Sequence, residues 1–213
     1  QLDMTLSVTL IIVIITCMVS IPAFTNRQLF DQFKHNPYTE KREKQYYRWV
    51  TSGFLHGSWV HLGINMYVFH EFGRHVEYWY KGMFGPTTGA ILFLVMYLLT
   101  IVLADTPTYF KHQDNPNYSA IGASGGVSGI LFAFILFMPW SMLGLFFVVP
   151  IPAIVFGVLY LWYESWSAKN SRDNIGHDAH FWGAIAGVVI TIIYRPTIFI
   201  DFISKLTNDF PLG

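Results

Sequence analysis

Long stretches of this chain carry no formal charge, and that constrains its fold more than any other feature. No Asp, Glu, Lys or Arg occurs in 4–26, 49–69, 82–104, 115–163 or 179–194. A helix crosses the hydrocarbon of a bilayer in about 20 residues, so most of these runs are each about one crossing long. The run 115–163 is longer than one crossing needs and is broken by MPWS at 138–141; it reads as two spans joined by a tight turn. Of the 213 residues only 12% are charged, against about a quarter in an ordinary soluble domain. The chain lacks the polar surface to live in water. The reading is an all-α integral membrane protein, one domain over 1–213. It predicts a six-transmembrane-helix bundle with helices near 4–24, 53–76, 86–104, 122–138, 144–163 and 177–194.

The first run is not read as a cleavable signal, because no basic region precedes it and IPAFTN lacks a small-residue cleavage pattern. No basic tract points to nucleic acid. A single cysteine, Cys17, allows no intrachain disulfide. Pro150 and Pro152 fall inside the fifth predicted helix and predict a kink there. The polar segment 26–49 mixes aromatic and charged residues, so it is expected to rest at the membrane interface. The segment 105–119, rich in Pro and Asn, reads as a loop. Of 13 Lys and Arg residues, only Arg74, Lys81, Arg195 and Lys205 fall on the N-terminal side of this topology. Counting positive charge alone puts the 26–49 segment in the cytosol.

A polar side chain at membrane depth is costly and marks function by default. Three predicted spans enter from the side of the 26–49 segment, and each carries such groups. The second holds His56, His61 and Asn65, the fourth opens at Ser124, and the sixth opens with His177, Asp178 and His180. His61 and Asn65 are four residues apart and share a helix face, whereas on a continuous helix His56 points roughly 140° away from His61. Serine is a weak nucleophile until a base takes its proton, and histidine is the base suited to neutral pH. An oxyanion needs fixed donors, which His61 and Asn65 are placed to supply. Asp178 lies about 200° around the helix from His180, so a dyad rather than a triad is expected.

Each feature has a plainer reading as well. Gly122/Gly126 and Gly125/Gly129 are G-x-x-x-G pairs, the usual mark of close helix packing, and Ser124 between them reads as a small packing residue too. Gly183 and Gly187 read as packing. GASGG satisfies a nucleophile-elbow pattern, but that elbow needs a strand before it. His70 and His75 are five apart rather than the four a helical zinc pair needs.

Taken together, GASG at 122–125, HGSWVHLGIN at 56–65 and AHFWGAIAG at 179–187 resemble the rhomboid family of intramembrane serine proteases. Arg48 and Trp49 before the second span, and Glu77 after it, are similar to that family as well. The resemblance implies that Ser124 is the nucleophile and His180 the general base. It implies that His61 and Asn65 help form the oxyanion hole, and that His56, Gly122, Gly125 and Gly183 are structural near the site. It also implies a cytosolic N-terminus and a site opening to the extracytoplasmic side of a bacterial plasma membrane, against the charge count. The fifth helix and the loop after it would gate entry of transmembrane protein substrates from the lipid bilayer. No metal, cofactor or nucleic acid is implied. Many members of the family carry an aromatic residue four positions after the serine, stacked on the histidine; here that position is Ser128, so Phe132 or a neighbouring aromatic is expected to hold His180. The alternative reading is a catalytically inactive relative that binds membrane-protein clients, and a further one is a metalloenzyme using His56, His61, His177 and His180.

Overall fold

The computed structural model describes residues 7–145, 149–171 and 175–209. Residues 4–6 of the first predicted span, 146–148 of the fifth, and 172–174 of the loop expected to act as a gate lie outside the described residues. Within them the chain forms ten α-helices and one two-stranded hairpin: α1 Val8–Ala23, α2 Arg27–Phe33, α3 Pro37–Glu43, α4 Arg48–Thr51, α5 Trp59–Phe84, α6 Pro86–His112, α7 Ser124–Phe137, β1 Met142–Leu145, β2 Val149–Pro152, α8 Ala153–Asn170, α9 His177–Tyr194 and α10 Thr197–Asn208.

Helix α7 is the centre of the bundle. Every residue from Gly125 to Phe137 is buried, as expected of a helix apolar on all sides. Its tightest neighbour is α9, and glycines set that approach. A Cβ on Gly183 would sit 2.1 Å from the Gly125 carbonyl oxygen, and one on Gly187 would sit 2.1 Å from that of Gly129. Small residues let backbones touch, so dispersion contacts replace a hydrophobic drive that lipid does not supply. The register of this contact brings the N-terminal ends of α7 and α9, and so Ser124 and His180, to the same end of the bundle.

Among the described residues α6 is the one helix long and apolar enough to cross a membrane by itself, while α9 and α10 pass together as a pair bent by 112°. Helices α1 and α7 are shorter and apolar. Helix α5 is long enough, but its second half carries Glu71, Arg74, Glu77 and Lys81. Glu77 is committed to holding the start of α1. Its carboxylate accepts from the Val8 and Thr9 N–H groups at 2.9 and 2.8 Å and from the Ser7 and Thr9 hydroxyls, with Lys81 Nζ at 2.7 Å. An anion at a helix N-terminus satisfies otherwise unpaired donors and complements the helix dipole.

Several predicted boundaries are corrected. The chain is not all-α, because β1 and β2 pair as an antiparallel hairpin with Gly144 opposite Pro150. The helix expected over 144–163 therefore starts only at Ala153, and Pro150 and Pro152 do not kink it. Each proline lacks an N–H and biases the residue before it toward extended backbone, so 149–152 forms a strand and the helix begins just past Pro152. It then runs on to Asn170. The span expected from 53 starts at Trp59, where Ser58 Oγ accepts from the His61 N–H at 3.1 Å as an N-cap. Residues 48–54 form α4 and a separate 3-10 turn, which leaves His56 in the loop ahead of α5. Helix α6 continues to His112 past Pro107 rather than ending at 104.

The 26–49 segment is a folded cap of short helices. Buried Arg48 ties it together: its Nη1 donates to the carbonyls of Asp31 at 2.7 Å and Lys34 at 3.0 Å, and its Nε donates to Gln45 Oε1 at 2.7 Å. The cap also fixes the approach to α7. His35 and Ala120 exchange two backbone hydrogen bonds of 3.0 and 2.9 Å, and the Gly122 N–H donates to the Ser52 carbonyl at 3.0 Å.

Candidate active site

Ser124, His180, His61 and Asn65 line one cavity of about 1340 Å³ with Tyr160 and Lys111. Three helices contribute to it, and each reaches it through a local feature already described. Ser124 is the first residue of α7, which no side chain caps, so its first-turn N–H groups lack intrahelical acceptors and favour negative charge.

Gly122 shapes the space beside Ser124. Its φ of +122° is a conformation that side-chain-bearing residues rarely adopt. A Cβ there would lie 3.0 Å from His61 Cε1, 3.1 Å from His61 Nε2 and 3.7 Å from Ser124 Oγ. The missing side chain thus leaves a small hollow between the His61 ring and the serine hydroxyl. The Gly57 N–H donates to His61 Nδ1 at 3.4 Å, so in the neutral ring the proton sits on Nε2 and points as a donor into that hollow. Asn65 is buried, and its Nδ2 donates to the His61 carbonyl at 3.0 Å; a second amide proton remains for the cavity.

His56 does not face away from His61, as a continuous helix would require. Lying before α5, it packs edge-on against His61 with ring centroids 4.8 Å apart. Ser20 Oγ donates to the Phe54 carbonyl at 2.7 Å and lies 2.9 Å from His56 Nδ1. His56 thereby fastens α1 to the loop that carries the His61 side of the site. His75 packs on Trp79 and Phe134, away from the cavity.

His180 sits in the first turn of α9 and meets two side chains of α8. The Tyr160 ring stacks on it at a centroid distance of 6.4 Å and 26°, and Glu164 Oε1 lies 3.1 Å from its Nδ1. The other carboxylate oxygen, Oε2, is 2.5 Å from His177 Nδ1. Asp178 is elsewhere, paired with Lys111 Nζ at 3.2 Å. Tyr160 and Glu164 escaped the sequence reading, and the expectation of a histidine with no carboxylate partner is corrected. Their signal was present: Glu164 ends the charge-free run, and Tyr160 is four residues earlier on the same helix face. Among the described residues no hydrogen bond joins Ser124 Oγ to His180; the two face the same cavity, and such bonds are often long before substrate binds. Glu164, His177 and His180 also offer three ligand atoms within 4.8 Å of one another, a set able to hold a metal ion.

Residues 43–197 match the Rhomboid domain family. The chain belongs to the rhomboid family. That membership implies a membrane-embedded helical bundle, in keeping with the apolar helices described above. Two Arabidopsis thaliana proteins are similar to it. RHOMBOID-like protein 12, mitochondrial, is 24% identical over 147 residues, covering 66% of this chain and 44% of that protein. Rhomboid-like protein 11, chloroplastic, is 29% identical over 160 residues, covering 68% of this chain and 51% of that protein. The chain spans about half the length of these rhomboid relatives.

Proposed function

We propose that this rhomboid is an intramembrane serine endopeptidase that cleaves transmembrane or juxtamembrane segments of other membrane proteins. The observation that carries the reading is the meeting of Ser124, His180 and the His61 N–H in one cavity, with the Gly122 hollow between serine and donor. Ser124 Oγ attacks the scissile carbonyl carbon and passes its proton to His180 Nε2. The carbonyl oxygen becomes an oxyanion, held by His61 Nε2–H, Asn65 Nδ2–H and the first-turn N–H groups of α7. Collapse breaks the C–N bond, and His180 returns the proton to the leaving amine. Water then attacks the acyl carbon and gives a proton to His180; the bond from the acyl carbon to Ser124 Oγ breaks, and His180 returns that proton to Oγ, restoring the hydroxyl.

In this reading the chain is one six-span domain whose cavity opens on the side of the 26–49 cap, which is extracytoplasmic in a bacterial plasma membrane. The two relatives carry mitochondrial and chloroplastic in their names, so organellar orientation belongs in the same test. Purified full chain in liposomes, given a transmembrane reporter, should cleave it, and Ser124→Ala and His180→Ala should each lose cleavage. Cleavage that survives loss of Ser124 would end the proposal. A folded wild type that binds reporters without cutting them would favour a client-binding protein.

A further inference from the structure

We propose that Glu164 is a positioning residue for His180: its carboxylate fixes the ring as the Nδ1–H tautomer and leaves Nε2 as the acceptor for the Ser124 proton. The inference deepens the protease reading and rests on it. An ionised carboxylate only accepts, so the 3.1 Å contact from Glu164 Oε1 requires the proton of His180 to be on Nδ1. The same logic puts the His177 proton on Nδ1, toward Glu164 Oε2.

The carboxylate is built into its place. Glu164 is only 4% exposed, and a buried charge is costly unless each oxygen has a partner. His177 and His180 are three residues apart, so the first turn of α9 turns both rings to one side, and α8 delivers one oxygen to each. Tyr160, one turn earlier on α8, sets its ring beside His180 and within 26° of parallel, with centroids 6.4 Å apart. One helix therefore supplies both the acceptor that sets the tautomer and the surface that sets the ring plane. The nearest carboxylate in sequence, Asp178, is taken by Lys111.

The same three residues resemble a His-His-Glu metal set. Their spacing speaks for shared protons instead. Two ligands each about 2.1 Å from one zinc ion do not come as near as the 2.5 Å between Glu164 Oε2 and His177 Nδ1, a separation that requires a proton between the two atoms.

Two readouts on the full chain in detergent test this. For Glu164→Gln, kcat on a transmembrane reporter should fall about 10²- to 10⁴-fold with KM little changed and the melting temperature close to wild type. Glu164→Asp should recover part of the loss, and Glu164→Met, which keeps bulk without an acceptor, should not. Nitrogen-15 NMR of labelled histidines, with His180 assigned by difference against His180→Ala, should find Nδ1 protonated in wild type and that preference lost in Glu164→Met. The NMR readout stands even if wild type cleaves nothing, so failure of the protease reading and failure of this one are told apart. An unchanged tautomer in folded Glu164→Met, with or without a fall in kcat, would reduce Glu164 to a packing group and overturn the proposal. Loss of activity on EDTA treatment, restored by zinc, would make the cluster a metal site and overturn it too.

Discussion

The Tyr160 hydroxyl lies 2.6 Å from Ser128 Oγ, and the Tyr160 ring is the one that flanks His180, near-parallel to it. The sequence resemblance places an aromatic at the position of Ser128, and in this chain that ring comes from α8 instead. Ser128 is the small residue that makes room for it and holds its hydroxyl. Ser128→Ala and Tyr160→Phe should each lower kcat by a few-fold, and the double variant should cost no more than either alone, since both remove one hydrogen bond. Ser128→Tyr should destabilise the protein, because its ring claims the space of Tyr160, and adding Tyr160→Ala should relieve that loss. Kinetics and thermal melts of these five variants beside wild type check this.

Gly122 carries a prediction of its own. Gly122→Ala would be strained at φ +122° and would put a methyl 3.1 Å from His61 Nε2. A stability cost of about 1–3 kcal/mol is expected from the backbone. Activity should fall by more than that cost accounts for, because the hollow between donor and serine is filled. Labelling rates measured on folded protein, at a temperature well below its melt, separate the two effects.

The α7–α9 contact predicts a contrast between glycines. Gly183→Ala and Gly187→Ala press a methyl into backbone 2.1 Å away and should lower the melting temperature severely or prevent folding. Gly82→Ala meets nothing within 4 Å, and its better helix propensity should leave stability equal or higher by about 0.5–1 kcal/mol. Thermal melts of detergent-solubilised protein decide it.

What the sequence made legible divides along physical lines. Ser124, His61, Asn65 and His180 stood out because polar groups are rare in apolar runs, and the glycine spacing marked the α7–α9 seam. Hydropathy cannot tell the β1–β2 strands from part of a span; Pro150 and Pro152 carry the signal, but inside an apolar run they are equally compatible with a kinked helix. His56 was misplaced because an unbroken apolar run hides the N-cap at Ser58. Tyr160 and Glu164 were missed for a different reason. Glu164 at the end of the charge-free run and Tyr160 one turn before it mark a face of α8, but that this face meets α9 is a tertiary relationship the local sequence does not specify.

The cap over the site predicts a pH response. Burial works against a charge on His35, yet its hydrogen bond to Glu40 at 2.8 Å and the nearby Asp105 and Glu40 carboxylates hold its pKa above the ordinary 6.5. A group whose pKa is higher folded than unfolded adds stability that is complete below the unfolded value and is lost as pH rises through the folded one. Thermal stability should therefore decline from pH 6 upward through that range. The decline should be smaller in His35→Gln, whose side chain does not titrate. Melting curves between pH 5.5 and 8.5 measure the difference.

The most direct measurement of the central claim is the site of covalent capture. Wild type, Ser124→Ala and His180→Ala would be treated with a fluorophosphonate in detergent, digested, and the adduct located by peptide mass spectrometry. The account predicts one adduct on Ser124 in wild type, none in Ser124→Ala, and labelling slowed at least ~10²-fold in His180→Ala. An adduct on another residue, or equal labelling of Ser124 without His180, would contradict it.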